Sequence, residues 1–291
     1  MKKLLFKGCG TAMATPFSDT GINFEEFKKL IEFQISNSVD ALIVCGTTGE
    51  ASTMTFQEKI DTIKCAVECS NGRVPIIAGT GSNNTLQTIE LSKKAEELGV
   101  DGLLIVTPYY NKTTQEGLIA HYSAIAKEVK LPIILYNVPG RTGLNILPRT
   151  CLELSKIDNI VGIKEASGNL SQVAEIAHLC REQLPIYSGN DDQILPVLSL
   201  GGKGVISVLS NVKPKLVSDM VNKFFEGDIN KAIDLQLASI PLTKALFCEV
   251  NPIPVKSALS MIGFNFGIPR LPLVEMQKAN QEILKKELNN I

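Results

Sequence analysis

The chain has 291 residues, of which 44% are hydrophobic and 20% are charged, and this composition excludes a disordered or fibrous protein. Its 29 Lys and Arg residues and 30 Asp and Glu residues give a net charge of −1. Nucleic acid and anionic membranes both need a positively charged face, so neither is expected to be the main partner. No apolar run approaches the ~18 residues of a membrane-spanning helix.

The cysteines and the N-terminal segment indicate a cytoplasmic protein. Seven cysteines without a C-x-x-C pair are typical of reduced thiols. The apolar stretch at the N-terminus stops at Lys7, too early for a signal peptide. Cys65 and Cys69 lie four residues apart, a spacing that could hold a metal, but no histidine is near them in the sequence. We therefore expect no metal at this pair.

Short apolar runs separated by polar stretches predict a parallel sheet. The predicted strands begin near Gly8, Asp40, Val74, Gly102, Pro132, Ile160, Pro185 and Gly204. Most of the intervening segments look helical, and a capping side chain stands three residues before Glu or Gln at Asn23, Thr55, Asn169 and Asn190. Gly72 and Gly99 mark predicted helix ends.

Eight strand–helix units in about 225 residues predict a closed (β/α)8 TIM barrel over residues 1–226. An open, doubly wound sheet is the structural alternative. Such a sheet usually carries a Gly-rich dinucleotide turn after its first strand, and the segment Thr15-Pro16-Phe17 lacks one. Residues 227–291 are predicted to form an appended helical domain, with helices over Ile229–Phe247, Ile253–Met261 and Leu273–Leu288.

Active sites of such barrels lie at the C-terminal ends of the strands, and this rule selects Lys164. Lys164 follows a run that reads as a central strand, where a lysine is costly unless it is paired or functional. Burial of an amine favours the uncharged form that a Schiff-base nucleophile requires. The alternative is a lysine that pairs with a glutamate or reaches solvent. Lys256 is a rival nucleophile, but it lies beyond the barrel.

Other strand ends carry further candidates. Tyr136 could relay protons beside a lysine nucleophile, although most such tyrosines only pack. The turn Thr47-Thr48-Gly49 offers hydroxyls and backbone N–H groups for a carboxylate, or it is an ordinary strand-to-helix turn. Tyr109 and Tyr110 suit an interface or a lid. Arg141 could hold a carboxylate through its planar fork, although a lone loop arginine is usually solvated.

The two histidines, His121 and His178, fall in the middle of predicted helices, away from the strand ends. A histidine-based triad or metal site is therefore not expected.

Taken together, these motifs resemble the dihydrodipicolinate synthase/N-acetylneuraminate lyase family of class I aldolases. The resemblance covers essentially the whole chain. It rests on three strings at three strand ends: Gly46-Thr47-Thr48-Gly49-Glu50, Tyr136-Asn137-Val138-Pro139-Gly140-Arg141-Thr142-Gly143 and Gly162-Ile163-Lys164-Glu165-Ala166. Thr107-Pro108-Tyr109-Tyr110 and Ser188-Gly189-Asn190-Asp191-Asp192 also match. The double threonine and the arginine after the fifth strand resemble the synthase branch rather than the lyase branch.

The resemblance implies condensation of pyruvate with L-aspartate 4-semialdehyde to 4-hydroxy-tetrahydrodipicolinate, on the route to diaminopimelate and lysine. Lys164 would form the imine with pyruvate. Tyr136, Thr47 and Tyr110 would form a hydroxyl relay, with Tyr110 coming from a neighbouring subunit. No metal or organic cofactor is implied, because the lysine imine activates the substrate. The family also implies a homotetramer built from two tight dimers.

Four further positions are implied to bind substrate. Backbone groups of Thr47 and Thr48 would hold the pyruvate carboxylate, and Arg141 would meet the carboxylate of the semialdehyde. Gly189 and Ile206 would contribute main-chain contacts.

A departure from the family concerns inhibition by L-lysine. Inhibited members bind L-lysine at the dimer interface through a serine, two histidines, an asparagine, a glutamate and a tyrosine. Here Asn83 and Tyr109 match, whereas the other four positions hold Ala51, Phe56, Lys59 and Gln87. A neutral amide cannot offset the inhibitor's ammonium group as a carboxylate does. The sequence therefore predicts weak or absent inhibition by L-lysine.

Two alternatives stay open at this point. The first is another pyruvate-dependent aldolase of the same family, such as a sialic acid or 2-keto-3-deoxy sugar-acid lyase, against which Arg141 argues. The second is a non-catalytic barrel that binds a small molecule, against which the intact set of Lys164, Tyr136 and Thr47 argues.

Overall fold

The computed structural model describes residue 2 and residues 4–290, and its centre is a closed barrel of eight parallel strands. The strands follow one another around the barrel, and the last pairs with the first. In chain order they are β1 (Gly8–Ala12), β4 (Ala41–Val44), β5 (Ile76–Gly79), β6 (Gly102–Val106), β7 (Ile133–Asn137), β8 (Ile160–Glu165), β9 (Ile186–Ser188) and β10 (Gly204–Ser207). A small antiparallel hairpin, β2 (Phe17–Ser18) and β3 (Gly21–Ile22), follows the first strand. The predicted TIM barrel is confirmed, and the open sheet is excluded.

Helices connect successive barrel strands. They are α1 (Phe24–Ser36), α2 (Phe56–Ser70), α3 (Thr85–Glu97), α4 (Gln115–Glu128), α5 (Pro139–Thr142), α6 (Pro148–Leu154), α7 (Leu170–Cys180), α8 (Ile194–Ser199) and α9 (Pro214–Glu226). Short 3-10 turns occur at Arg181–Gln183, Asp191–Gln193 and Leu209–Asn211. After α9 the chain is helical, with α10 (Ile229–Leu246), α11 (Ile253–Met261) and α12 (Lys278–Asn289). Within the described residues, no helix is both long and apolar enough to cross a membrane.

Three of the four predicted helix caps are present. The side chains of Asn23, Thr55 and Asn169 each accept a hydrogen bond from the backbone N–H three residues later. The prediction of a helix cap at Asn190 is wrong, because its side chain accepts no such hydrogen bond and the residue precedes only a 3-10 turn. The neighbouring Asp191 explains the difference. Its buried carboxylate accepts hydrogen bonds from the Ser207 hydroxyl and two backbone N–H groups after β10, and these bonds hold the chain in the tight turn.

The third C-terminal helix begins at Lys278, five residues later than the predicted start at Leu273. The backbone N–H of Gln277 donates to Glu249 Oε1 at 3.0 Å, and the side chain of Asn280 donates to the same oxygen at 2.7 Å. Gln277, the residue before α12, has an extended backbone and is thus held by a side chain from the loop after α10.

Apolar side chains fill two layers, one inside the barrel and one between the barrel and its helices. Phe6 belongs to the inner layer, and its ring stacks on Tyr187 at a centroid distance of 4.4 Å. The Tyr187 hydroxyl donates to the backbone oxygen of Phe6 at 2.6 Å. The inner layer is therefore a packed core, as in other TIM barrels. A site is expected at the C-terminal ends of the strands.

Candidate active site

A cavity of about 430 Å³ lies at the C-terminal ends of β4, β5, β6 and β7. Thr47, Tyr136 and Arg141, three of the residues selected from the sequence, line it. Gly79 lets the backbone of β5 approach that of Cys45 in the cavity wall, because a Cβ at position 79 would lie 2.3 Å from the backbone oxygen of Cys45. The cavity therefore lies at the end of the barrel that the strand-end rule predicts.

Lys164 and Tyr136 are neighbours on adjacent strands. They are paired in the register of β7 and β8, and Lys164 Nζ lies 4.4 Å from the centroid of the Tyr136 ring. Lys164 is 5% exposed, and among the described residues its ammonium group makes no ion pair. It neither reaches solvent nor pairs with a glutamate, so both alternatives drawn from the sequence are wrong.

The glutamate next to Lys164 in the chain points away from it. Successive strand side chains face opposite sides of the sheet, so Glu165 faces the helices. Its carboxylate accepts hydrogen bonds from Asn137 Nδ2 at 2.9 Å, Gln172 Nε2 at 3.2 Å and the backbone N–H of Ser167 at 2.7 Å. With its acceptors used in this way, Glu165 leaves the amine of Lys164 available inside the barrel.

The turn after β4 carries Thr47 and Thr48 in an unusual backbone conformation. Cys45 and Glu50, which flank it, have φ angles of 56° and 55°, in the left-handed region that non-glycine residues rarely adopt. The backbone N–H of Glu50 donates to the carbonyl of Thr47 at 3.1 Å. A backbone held in this way needs support from its surroundings.

That support comes from α11 and the segment after it. Lys256 Nζ lies 2.7 Å from Glu50 Oε1, and both side chains are 1% exposed. The backbone N–H of Arg270 donates to the second Glu50 oxygen at 2.9 Å. Lys256, the rival nucleophile, is therefore an ion-paired structural residue. Removing one partner of such a buried pair costs roughly 3–5 kcal/mol.

Asn251 connects the two groups that the sequence assigns to carboxylate binding. Its Nδ2 donates to Thr48 Oγ1 at 3.1 Å, and its backbone oxygen accepts from Arg141 Nη2 at 2.9 Å. Sequence reasoning missed this residue, because 203 positions separate Asn251 from Thr48. Arg141 is exposed, and within the described residues one of its guanidinium nitrogens is tethered.

The remaining predicted site residues lie in different settings. Tyr110 is 91% exposed, has a φ angle of 70° and does not line the cavity of its own chain. Gly189 follows β9, and its N–H already donates to the Glu165 carbonyl at 2.8 Å. Ile206 is fully buried in β10, in the same inner layer as Tyr136.

The histidines and the paired cysteines lie on helices outside the barrel, as predicted. His121 is on α4, where Thr85 Oγ1 is 2.9 Å from its Nδ1, and burial lowers its pKa to about 4. His178 is on α7. Cys65 Sγ and Cys69 Sγ are 4.0 Å apart on α2, and burial raises the pKa of the Cys65 thiol to about 12.

Five of the six positions compared with the L-lysine site are among the residues that line the cavity: Ala51, Lys59, Asn83, Gln87 and Tyr109. The sixth, Phe56, begins α2, is 40% exposed and lies outside the lining.

A buried lysine at the end of the sixth barrel strand, beside a tyrosine and near a strand-to-helix turn rich in hydroxyls, is the arrangement of a Schiff-base-forming lyase. Comparisons with known proteins agree. The model of the dihydrodipicolinate synthetase family matches residues 5–291. The chain is 59% identical to the 4-hydroxy-tetrahydrodipicolinate synthase of Caldicellulosiruptor saccharolyticus, over 98% of this chain and 96% of that protein.

Two further relatives are similar along their whole length. The chain is 56% identical to 4-hydroxy-tetrahydrodipicolinate synthase 1 of Clostridium acetobutylicum, over 98% of this chain and 97% of that protein. The crystal structure of dihydrodipicolinate synthase from Thermotoga maritima superposes with a TM-score of 0.96 at 43% identity, covering 98% of each chain. The chain belongs to the dihydrodipicolinate synthetase family.

Proposed function

We propose that the chain condenses pyruvate with L-aspartate 4-semialdehyde and releases 4-hydroxy-tetrahydrodipicolinate, in the biosynthesis of diaminopimelate and lysine. The observation that carries this proposal is the buried Lys164, which makes no ion pair within the described residues, beside Tyr136 and a cavity that Arg141 lines. The test is a condensation assay with the semialdehyde and with sugar aldehydes as acceptors. Faster turnover of a sugar aldehyde would instead assign the chain to the lyase branch of the family.

The first half of the reaction takes place on Lys164. Its amine attacks the pyruvate ketone, and loss of water leaves an iminium. The iminium withdraws electrons, so a methyl proton is lost and an enamine forms. The Tyr136 ring, 4.4 Å from the lysine nitrogen, places a hydroxyl-bearing side chain where these protons move.

The second half forms the ring. The enamine carbon attacks the aldehyde carbon of the semialdehyde, and the new alkoxide takes a proton. The substrate amine then attacks the iminium carbon, the six-membered ring closes and the Lys164 amine leaves. Tyr136, Thr47 and Tyr110 form the proposed relay for these protons, and no metal or organic cofactor takes part in the sequence.

The proposed substrate contacts divide between two places. Backbone groups of Thr47 and Thr48 hold the pyruvate carboxylate, and Arg141 binds the carboxylate of the semialdehyde. The tether from Arg141 to Asn251 uses one guanidinium nitrogen, which leaves others for the substrate. Because the N–H of Gly189 is already used, its contribution is its carbonyl, alongside a main-chain contact from Ile206.

Replacing Arg141 by alanine is expected to harm use of the semialdehyde and to spare the pyruvate step. Loss of a charged hydrogen bond costs roughly 1.5–3 kcal/mol, or about ten- to a hundred-fold in kcat/KM for the semialdehyde. Trapping of the pyruvate imine by borohydride should be nearly unchanged. An equal loss of trapping and turnover would make Arg141 a structural residue.

Tyr110 is proposed to complete the relay in a neighbouring subunit of a homotetramer built from two tight dimers. Its 91% exposure supports this, because the side chain is available to a partner and tyrosine is enriched at interfaces. Mixing Tyr110→Phe protein with Lys164→Ala protein under subunit exchange should restore activity, since one site of the mixed dimer is intact. No rescue, with exchange verified by mass spectrometry, would place Tyr110 in its own subunit's site.

The proposal also includes the cellular location and the domain organisation of the protein. The protein acts in the cytoplasm, consistent with its seven free cysteines. Residues 1–226 form the catalytic barrel and residues 227–291 an appended helical domain, whose Asn251 and Lys256 brace the site.

A further inference from the structure

The side chains of β8 change from one face of the barrel to the other within the strand. In a regular strand, residues an even number of positions apart face the same side of the sheet. Ile160 packs in the apolar layer between the barrel and its helices. Lys164, four positions later, would face the helices by that rule. Its Nζ instead lies over the ring of Tyr136, which belongs to the inner layer.

A β-bulge causes this change. Ile133 of β7 pairs with Ile160, but the next residue of β7, Ile134, pairs with Gly162. Within the described strands, Val161 has no partner on β7 and is the extra residue of the bulge. The rest of β8 is therefore shifted by one position relative to its start. An unbulged strand with the same start would turn the lysine toward the helices, because a shift of one residue exchanges the two faces.

Gly162 shows the shifted phase directly. A Cβ at this position would lie 3.3 Å from the ring of Tyr187, which belongs to the inner layer, and 3.0 Å from the backbone oxygen of Pro185. Position 162 therefore faces the barrel interior, two residues before Lys164. A side chain there would crowd the neighbouring strand.

A pair of buried polar side chains holds the shifted register on the outer face. The residues that directly follow Tyr136 and Lys164 are partners in the register. They are Asn137 and Glu165, which are 0% and 2% exposed. Asn137 Nδ2 donates to Glu165 Oε2 at 2.9 Å. A shift of β8 by one position would separate these two groups, so their hydrogen bond favours the observed register.

Both side chains are fixed in turn by their surroundings. Asn137 Oδ1 accepts from the backbone N–H of Ile146 at 2.9 Å. Glu165 Oε1 accepts from the backbone N–H of Ser167 at 2.7 Å, and Oε2 also accepts from Gln172 Nε2 at 3.2 Å. Each carboxylate oxygen thus has its own donors, and all of these donors are neutral.

We propose that Asn137 and Glu165 are positioning residues for Lys164. Their hydrogen bond fixes the register that follows the bulge at Val161, and it thereby keeps the lysine amine beside Tyr136. The inference rests on the proposed function only for its consequence, a faster reaction with pyruvate. The position of the amine is a property of the folded protein.

Glu165→Gln tests the hydrogen bond with little change in shape. Because the two carboxylate oxygens accept from different donors, an amide leaves one side with two donors facing each other. Borohydride trapping of pyruvate on Lys164 should become roughly ten-fold slower at saturating pyruvate, since a hydrogen bond to a charged group is worth about that factor or more. The pyruvate concentration for half-maximal trapping should stay nearly unchanged, because the proposed carboxylate-binding turn follows β4.

Two further variants separate positioning from a general loss of stability. Asn137→Asp combined with Glu165→Gln again places a carboxylate opposite an amide across the two strands, and it should restore most of the trapping rate. Ser92→Ala is the matched control. It removes a buried hydrogen bond of 2.8 Å between Ser92 and Thr80, which follows β5, and should lower the melting temperature without slowing trapping.

A crystal structure of Glu165→Gln measures the position of the amine without any reaction. The expected result is a Lys164 amine displaced from the Tyr136 ring, whose centroid lies 4.4 Å away in the unmodified protein. Unchanged trapping, slower trapping with the lysine still in place, or an equal loss of trapping in Ser92→Ala would overturn the proposal. If the unmodified protein forms no adduct with pyruvate, the proposed function fails, and the crystal structure of the variant still decides the positioning.

Discussion

Borohydride reduction in the presence of pyruvate is expected to add one reduced pyruvyl group to the protein, at Lys164. Reduction converts the imine to a stable secondary amine, so the adduct survives digestion and can be mapped by mass spectrometry. Lys164→Ala should carry no adduct and should lose activity completely, because no other group supplies the nucleophile. Lys164→Arg should also be inactive, since a guanidinium stays protonated and is a poor nucleophile.

Lys256 provides an internal comparison for this experiment. It is as buried as Lys164, but its ammonium group lies 2.7 Å from the Glu50 carboxylate, 3.3 Å from the Ile268 carbonyl and 4.3 Å from the centroid of the Phe17 ring. An amine engaged by a carboxylate and a carbonyl in this way is not free to attack a ketone. A pyruvyl adduct on Lys256, or normal labelling of Lys164→Ala, would sink the assignment of Lys164.

The strands and most helices could be predicted because their signals are local. Each predicted strand began within two residues of the observed one, since a buried parallel strand is a short apolar run between turns. The caps at Asn23, Thr55 and Asn169 depend on residues three positions away. The cap at Asn190 failed because Asp191 is held by groups after β10, which a local pattern cannot reveal.

The residues of the candidate site also divide into those with a local sequence signal and those without one. Lys164, Tyr136 and Thr47 could be selected as candidates because each lies at or shortly after the C-terminal end of a strand, and closure of the barrel brings those ends together. Asn251 and the Glu50–Lys256 pair were not identifiable as supports, because their contacts join the second barrel strand–helix turn to the C-terminal helices. The sequence around a lysine does not show whether a carboxylate pairs with it in the folded protein. That difference separates Lys164 from Lys256.

The charges that line the cavity also bear on inhibition by L-lysine, a molecule with two ammonium groups and one carboxylate. Lys59 and Arg141 line the cavity, whereas no aspartate or glutamate among the described residues does. Gln87 offers an amide in place of a carboxylate, and Lys59 places a like charge in the same pocket. Each change removes or opposes a charged contact worth roughly 1.5–3 kcal/mol, so together they should weaken L-lysine binding by about a hundred-fold or more if roughly additive. Catalysis should be unaffected, because neither Gln87 nor Lys59 is among the residues assigned to the reaction.

A steady-state assay with increasing L-lysine at saturating pyruvate measures this, and the expected result is full activity through the low millimolar range. A variant that restores the carboxylate and removes the repelling charge is the matched control. Gln87→Glu combined with Lys59→His adds a carboxylate for the inhibitor's ammonium group and replaces the repelling charge by an imidazole, which can accept a hydrogen bond. This variant should become more sensitive to L-lysine than the unmodified protein. Half-inhibition of the unmodified protein below about 1 mM, which corresponds to roughly 4 kcal/mol of binding, would contradict the prediction, because a net-positive ligand would then be held by a pocket without a carboxylate.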